Sequence, residues 1–515
     1  MEGSPLPESQ FTIHRAGDLQ WSDEPLWPQF ARLLQADADA LALVGTDQSH
    51  WTRAQIARMA EAAADHLAAH GIRAGDRVLI QAYKTAQTAA AALAVSKLGA
   101  VFCPYSPDFG RAEREVLEQR LNHVATIDAS GAAPIPGLAG LGLRLYDRSG
   151  LPPADPRDAT TALIGFTSGT TGIPKGVMHG SAAMNYATRA CAQIAGLEPG
   201  EAIASVVPLA SAAGFTFGIH MAFTLGQCAV LIEPWEPMAA LRTMEDNHCR
   251  WAMCVPTQLA AMIECARAGQ WQRPSPLRAL AVGGSAMTPE LVSDAERLLG
   301  LTALRMFGMS ECMGHASTLP ADPIAVRRLY DGHPFPGTED LAFDAELQPL
   351  PPGARGQAGV RGPSLFLGYC RGLGDQDARY TPHGHFLTGD EIVREADGLI
   401  RVVGRIKDQI IRGGFNIDPA EIEAALLKHP AIAAVAVVAV PEARLGEQAC
   451  AVCQLREAAA VPTLDELKRH LEAVGLSKKK WPEHLLVVPD LPQTSTGKVD
   501  KKQLARIAGA ALGPR

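Results

Sequence analysis

The chain has no basic excess. Its 515 residues carry a formal net charge of −8, and without a surplus or stripe of lysine and arginine there is no electrostatic footprint for a nucleic-acid binder. A modest negative charge favours solubility and leaves the fold open. Long apolar runs are missing too. The most apolar stretch, 431–440, falls well short of the ~20 residues a helix needs to cross a bilayer, so no membrane span is predicted. The opening residues, Met1-Glu2-Gly3-Ser4-Pro5, lack a basic segment followed by an apolar one, and no secretory signal is predicted. Cysteine does not cluster as a metal or redox site requires. The ten cysteines are scattered singly apart from Cys450 and Cys453. That pair lies in a stretch that reads as a strand, where an i, i+3 spacing sends the two thiols to opposite faces. Scattered free thiols suit a reducing, cytoplasmic compartment. No fixed-period repeat or low-complexity tract is present.

What is there is a globular composition, 47% apolar and 20% charged, at a length beyond what one hydrophobic core supports. The first four-fifths alternates helical and strand patterns. Apolar residues at helical spacing predict a helix over 53–70, a short apolar run a strand over 77–81, and a second helix runs over 86–98 and stops at Gly99. The alternation continues through a strand at 229–232, a helix over 237–247 and a strand at 251–255. Such alternation predicts an α/β fold with helices covering sheets. Past Gly404 the pattern becomes a compact α+β unit, with helices over 419–428 and 463–474 and strands over 433–440 and 449–455. The predicted organisation is a large N-terminal domain of several subdomains over 1–403, a hinge over 404–409 and a small C-terminal domain over 410–515.

The strongest local signal is Thr167-Ser168-Gly169-Thr170-Thr171-Gly172-Ile173-Pro174-Lys175-Gly176, which follows an apolar strand pattern at 162–166. Glycines and small hydroxyl residues let backbone N–H groups approach an anion closely, and the hydroxyls can donate to phosphate oxygens. Lys175 adds a mobile cation. The segment is not a Walker motif, because Pro174 separates Gly172 from the lysine and no Ser or Thr follows it. A flexible linker is the bland alternative, but linkers rarely combine this spacing with a preceding apolar strand and a Pro-Lys-Gly end.

This segment resembles the phosphate loop of the adenylate-forming superfamily, which includes acyl-CoA synthetases, peptide-synthetase adenylation domains and luciferases. Further motifs follow in that superfamily's order. Met306-Phe307-Gly308-Met309-Ser310-Glu311 is similar to its aromatic-Gly-x-Thr-Glu segment. The resemblance implies that Phe307 stacks on adenine, that Ser310 offers a hydroxyl to the α-phosphate, and that Glu311 helps hold Mg2+, a hard cation that requires oxygen ligands. Gly283-Gly284-Ser285-Ala286-Met287 resembles the small-residue loop bordering adenine and the acyl pocket, and it equally suits a strand-to-helix turn before Pro289. Thr388-Gly389-Asp390 resembles the motif whose aspartate, here Asp390, accepts from the ribose hydroxyls; alone it would also be an ordinary turn.

In Gly404-Arg405-Ile406-Lys407-Asp408-Gln409 the resemblance implies a ribose or phosphate contact for Arg405 and a hinge at Asp408. It places Gly413 and Gly414 on the loop lining the thiol tunnel. Pro492-Gln493-Thr494-Ser495-Thr496-Gly497-Lys498 resembles the C-terminal motif whose lysine, here Lys498, sits between the substrate carboxylate and the α-phosphate. The expected activity is ATP-dependent conversion of a carboxylic acid to its acyl adenylate, followed by thioester formation with coenzyme A.

The sequence departs from the pattern at Ser211, in Val207-Pro208-Leu209-Ala210-Ser211, where acyl-CoA synthetases often carry histidine. That keeps open an acyl-AMP ligase that delivers its adenylate to a carrier-protein pantetheine or a partner enzyme. No aspartate stands near Phe215 to pair an amino-acid ammonium, and Phe215 and Phe217 suggest an apolar or aromatic acid. The cluster Lys478-Lys479-Lys480 reads as a solvated face or as a contact for coenzyme A phosphates. A catalytically dead nucleotide-binding protein is the reading from another class; intact Lys175, Glu311, Asp390 and Lys498 argue against it.

Overall fold

The computed structural model describes residues 11–131, 133–149, 155–167, 174–285, 287–374, 378–412, 415–442, 446–457, 459–494 and 497–512. The chain divides into two compact units, one of residues 1–284, 289–339 and 361–379, the other of residues 285–288, 340–360 and 380–515. Among the described residues no helix is long and apolar enough to cross a membrane.

The larger unit is α/β, as its alternating pattern predicts. Its nine-stranded sheet has six parallel strands at the centre, in the spatial order Ala303–Met309, Ala279–Gly283, Cys249–Cys254, Ala202–Ser205, Cys228–Leu231 and Leu41–Val44. Antiparallel strands close both edges. An eight-stranded sheet repeats the plan around the parallel strands Thr161–Thr167, Val101–Tyr105, Arg77–Gln81 and Ala125–Asp128. Strands covered by helices on both faces read as continuous apolar runs, and the runs at 77–81 and 228–231 are buried at every residue. The helix Arg53–Ala69 begins where a capping box predicts it: Gln55 N donates to Thr52 Oγ1 at 3.2 Å and Thr52 N to Gln55 Oε1 at 2.8 Å.

Parallel strands bring their carboxyl ends to one edge, where open α/β sheets bind ligands. Here Ser205, Met253 and Ala281 stand in register across three neighbouring strands, and Gly283 stands opposite Met306. One buried cation fastens this edge. Lys84 Nζ donates to the carbonyls of Ser205 at 3.1 Å, Val206 at 2.6 Å and Ile232 at 2.9 Å. Burial lowers its pKa to about 8, so the ammonium persists at neutral pH.

The smaller unit holds the four-stranded antiparallel sheet that ends in Phe386–Arg394 and Ile400–Arg405. It also holds a second sheet built on the long hairpin Ile432–Glu442 and Gly446–Leu455. One face of that hairpin, with Val435, Val437, Ala449, Ala451 and Cys453, packs in a core with Ile422 and Leu426 of the helix Pro419–Leu426 and Leu467 and Leu471 of the helix Leu464–Ala473. The other face, with Ala436, Val438, Val440, Cys450 and Val452, packs with Leu504 and Ala508 of the helix Lys501–Leu512. Cys450 and Cys453 therefore face opposite ways, both buried and both free thiols, as their spacing predicts.

Residues 404–409 fall inside the smaller unit. Arg405 ends a strand and Ile406–Asp408 form a single 3-10 turn. Gln409 donates to the Glu391 carboxylate. Beside this turn, Gly404 leaves room for the Asp418 carboxylate, which caps the helix Pro419–Leu426 by accepting from Ala420 N at 3.0 Å.

Candidate active site

The loop with the phosphate-binding pattern joins two antiparallel strands, Thr161–Thr167 and Lys175–Gly180, with Thr167 paired opposite Lys175. Ser168, Gly169, Thr170, Thr171 and Gly172 lie outside the described residues. The pairing brings the two ends of the loop together, so Lys175 emerges from its base. Lys175 Nζ stands 4.9 Å from the centre of the Tyr369 ring, a cation–π distance. Tyr369 belongs to the two-residue strand Gly368–Tyr369, which pairs with Val177 and Met178. Its hydroxyl donates to Glu311 Oε1 at 2.6 Å. Tyr369 thus bridges the loop lysine and the buried Glu311 carboxylate.

Glu311 and Ser310 sit in the turn of the hairpin Ala303–Met309 and Cys312–Ser317. Gly308 is required there, since a Cβ at that position would lie 2.7 Å from Gly314 N. The turn is held from both sides. Phe366 N donates to Glu311 O at 2.8 Å, and His179 Nε2 lies 2.7 Å from Ser310 O. His179 is wholly buried, and desolvation pushes its pKa down to about 4. The ring is therefore neutral at physiological pH, with Nε2–H as the donor to that carbonyl. Phe307, nearly buried, sets its ring 4.4 Å from that of His315. Gly283 ends the strand Ala279–Gly283 and Gly284 turns the chain at φ +90° toward the exposed Ser285; a helix starts at Pro289.

Two residues expected at the acyl pocket stand differently from one another. Ser211 is the N-cap of the short helix Ala212–Phe215: its hydroxyl accepts from Gly214 N at 2.9 Å and donates to Pro208 O at 2.9 Å. Phe215 packs its ring 4.7 Å from Phe102. Two residues further on, the helix has turned by about 200°, and Phe217 borders a small space, with room for about one water, together with Ser205, Ala213, Gly214, Trp251 and Met253.

In the smaller unit, Asp390 and Arg405 are a cross-strand pair. Arg405 Nε donates to Asp390 Oδ1 at 2.9 Å, and Asp390 N donates to Thr388 Oγ1 at 3.1 Å. The Asp390 carboxylate is nearly buried and the Arg405 side chain half exposed. Lys498 lies on a tight turn. Thr494 N donates to Lys498 O at 2.7 Å, Gly497 N to Thr494 O at 2.9 Å, and Gly497 adopts φ +79°. A bridge between Gln493 and Val499 closes the turn just before the helix Lys501–Leu512. Asp408 lies in the 3-10 turn described above; Gly413 and Gly414 lie outside the described residues. Of the lysine cluster, Lys478 and Lys480 pair with Glu472 and Glu421, as a solvated, ion-paired face does.

Residues 30–370 match the family described as AMP-binding enzyme, and residues 421–498 match the AMP-binding enzyme C-terminal domain. The chain belongs to the AMP-binding enzymes. Among its relatives, a medium-chain fatty-acid–CoA ligase of Escherichia coli (strain K12) is 29% identical over 93% of this chain and 90% of its own length. A salicyl-AMP ligase / salicyl-S-ArCP synthetase of Mycobacterium tuberculosis is 31% identical over 85% of this chain and 82% of its own. The ATP-bound structure of MatB from Rhodopseudomonas palustris shares the fold at a TM-score of 0.80, with 23% identity over 95% of this chain and 99% of that one. This AMP-binding enzyme is an adenylate-forming ligase, close to the acyl-CoA synthetases in its superfamily. Tyr369 and His179 are the site residues that sequence reasoning missed. Neither belongs to a motif, and each acts on a residue far away in the chain.

Proposed function

We propose that this enzyme activates a small, largely apolar or aromatic carboxylic acid as its acyl adenylate and transfers the acyl group to the thiol of coenzyme A. The observation that carries the reading is the Lys175–Tyr369–Glu311 cluster: a cation at the base of the phosphate loop and a buried carboxylate held in one orientation by a phenolic hydroxyl. The Glu311 carboxylate fits Mg2+, which takes oxygen ligands and commonly binds through one or two carboxylates together with substrate phosphates. When bound, magnesium would offset the charge of the triphosphate and its pyrophosphate product.

The chain's own residues do the rest. Lys175 and the loop at 167–176 hold phosphate oxygens, and Phe307 and the Gly283-Gly284 turn border the adenine. Asp390 accepts from the ribose hydroxyls with Arg405 beside it. Lys498 neutralises the approach of the substrate carboxylate to the α-phosphorus, so that the carboxylate oxygen bonds to phosphorus as the bond to pyrophosphate breaks. A movement about Asp408 then withdraws Lys498 and brings the segment of Gly413 and Gly414 to the adenylate. The coenzyme A thiolate attacks the acyl carbon there and AMP leaves. Closure at each stage excludes the water that would hydrolyse the adenylate.

A second reading, transfer to a carrier-protein pantetheine, is favoured by Ser211. Its hydroxyl caps a helix where many coenzyme A ligases carry histidine, and the salicyl-AMP ligase among the relatives acts with an ArCP. The deciding experiment is pyrophosphate release from a panel of fatty, aryl and polycyclic acids, each with and without coenzyme A. Release that rises with coenzyme A, with acyl-CoA detected by mass spectrometry, supports the ligase. Release indifferent to coenzyme A, with acyl adenylate accumulating, sinks it in favour of the carrier-protein reading.

The role given to Tyr369 makes a separate prediction. Tyr369→Phe keeps the ring beside Lys175 and removes the hydroxyl on Glu311. Losing an outer partner of a metal ligand typically weakens metal binding about 10–100-fold. The Mg2+ concentration for half-maximal pyrophosphate exchange should rise by about that factor with KM for the acid unchanged. Tyr369→Leu should in addition raise KM for ATP, because Lys175 loses its aromatic neighbour. Identical profiles for the two variants would refute the division of labour.

A further inference from the structure

The Tyr369 bridge rests on a short support. Its strand, Gly368–Tyr369, has two residues, where strands usually run to about 3–10. The strand Lys175–Gly180 holds it at both ends: Leu367 N donates to Met178 O at 2.8 Å and Cys370 N to Gly176 O at 2.6 Å. Two arginines grip the same segment, each fixed by its own aspartate. Arg157 Nη2 donates to Tyr369 O at 3.1 Å, while Nε and Nη2 meet the Asp155 carboxylate at 3.0 and 2.6 Å. Arg77 Nη1 donates to Cys370 Sγ at 3.1 Å and to Leu121 O at 2.7 Å, while Nη2 meets Asp158 Oδ1 at 3.0 Å. The two aspartates come from one place, since Asp155 caps the 3-10 turn Pro156–Ala159 and Asp158 lies in it. Gly368, at φ +125°, leaves room for the first arginine: a Cβ there would lie 2.5 Å from Arg157 Nη1.

Such pairs do little for stability. The Arg157 side chain is 37% exposed, and ion pairs at the surface contribute little. Arg77 and Asp158 are buried, where desolvation offsets much of the attraction. What both pairs supply is geometry. A guanidinium is a planar fork of five donors, so one group meets a carboxylate and a neighbouring acceptor together, and the carboxylate fixes where the other donors point. With Tyr369 O and Cys370 Sγ both engaged, the chain at 369–370 is held in one setting. The Tyr369 side chain leaves it toward Lys175 Nζ and Glu311 Oε1.

We propose that Arg157 and Arg77, each with its aspartate, are positioning residues for adenylation: they set Tyr369 so that its hydroxyl stays on the Glu311 carboxylate and its ring beside Lys175. The inference rests on the roles given above to Glu311 and Lys175. Both arginines act through Tyr369, so their loss should weaken the use of Mg2+ and ATP and leave KM for the acid alone. Such coupling shows as non-additivity, because a second substitution has little further effect once the group it acts through is gone.

The test is Arg157→Ala in the full chain. The Mg2+ concentration for half-maximal pyrophosphate exchange should rise about tenfold, the low end of the effect of losing a metal ligand's outer partner, with KM for the acid unchanged. In a Tyr369→Phe background, which already lacks the hydroxyl, the same substitution should raise it by less than about twofold. Calorimetric titration with ATP in the absence of Mg2+ should show an affinity about two- to fivefold lower in Arg157→Ala, the worth of a cation–π contact at an accessible site. Arg278→Ala is the control. It removes a bidentate pair with Glu201, of similar exposure and in the same unit, and should move none of these readouts. Asp155→Asn, which keeps Arg157 but loosens it, should repeat the Arg157→Ala result and takes its place if that variant fails to fold. An unchanged Mg2+ requirement overturns the proposal. So do equal factors in the wild-type and Tyr369→Phe backgrounds, or effects of the same size in Arg278→Ala. A wild type that binds no ATP, or whose exchange is indifferent to Mg2+, overturns the roles of Lys175 and Glu311 instead, and this proposal with them.

Discussion

Lys498→Ala should lower pyrophosphate release by at least about 10²–10³-fold, the effect of deleting one preorganised charge-stabilising group, while leaving thioester formation from a supplied acyl adenylate near the wild-type rate. Two anions, a carboxylate and an α-phosphate, must meet in the first half-reaction, and negative charge then moves to the leaving pyrophosphate. A cation at that point acts through electrostatics alone, and its value depends on being in place before the reaction begins. The turn supplies that. Thr494 N on Lys498 O at 2.7 Å and the left-handed Gly497 fix where the lysine leaves the backbone. Neighbouring Lys501 cannot take over, because its Nζ is paired with Glu423 at 2.7 Å. Lys501→Ala should accordingly adenylate at close to the wild-type rate, which separates loss of one defined charge from loss of positive charge in general. The second half-reaction begins with the adenylate already made, so the variant should still form thioester from it. Adenylation that survives in Lys498→Ala within about tenfold would remove the lysine from the mechanism.

Much of this arrangement is legible in the amino-acid sequence because it is local. The helix over 53–70 and the strands at 77–81 and 251–255 follow from periodicity and apolar runs, and the observed Arg53–Ala69, Arg77–Gln81 and Cys249–Cys254 agree to within about two residues at each end. The long hairpin of the smaller unit is legible for the same reason: both faces are covered, so both read as apolar. The apolar run at 162–166 ahead of the phosphate-loop pattern is the strand Thr161–Thr167, whereas the strand Lys175–Gly180 that pairs with it had no expectation from the sequence.

What escaped is non-local. Tyr369 lies 58 residues from the Glu311 it holds, and His179 lies 131 residues from Ser310; no spacing rule connects such pairs. The grouping of residues 340–360 with the C-terminal unit is of the same kind. It comes from pairing of Arg355–Arg361 with Phe386–Arg394 across an intervening segment. At Ser211 the signal for capping is local, a serine followed by Ala-Ala-Gly-Phe, and the structure shows that it caps the helix Ala212–Phe215. Phe215 and Phe217 both suggest an apolar or aromatic acid by composition, and two residues apart on one helical run they point in nearly opposite directions.

Acid should destabilise the larger unit steeply between pH 6.5 and 4, and histidine is the cause. His123, His179 and His220 are buried, and desolvation, the largest influence on each, pushes their pKa values down to about 4, 4 and 3. Arg144 beside His123 and Arg189 beside His220 add repulsion. In each ring Nε2 is engaged, with Thr126 at 3.1 Å, Ser310 O at 2.7 Å and Asn185 at 2.8 Å respectively. Each Nδ1 has no partner among the described residues, so protonation would bury a cation with one N–H unsatisfied. The sign follows from proton counting. An unfolded histidine titrates near 6.5, so between that pH and the depressed folded value the unfolded chain holds more protons, and stability falls as pH falls. At pH 5 the three histidines together imply nearly three protons taken up on unfolding, a slope of about 4 kcal/mol per pH unit. Each removes about 2 kcal/mol by that pH, a large share of the 5–15 kcal/mol that separates folded from unfolded domains. Asp158 works in the opposite sense, because burial raises its pKa, but only nearer the carboxylate range. Six of the seven tryptophans lie in the larger unit, so urea unfolding followed by tryptophan fluorescence at pH 7.5, 6 and 5 reports on it. His123→Gln, which keeps a donor for Thr126 and does not titrate, should reduce the uptake by about one proton. A wild-type uptake of less than one proton at pH 5 would mean that these rings are charged, or hydrated, in the folded enzyme.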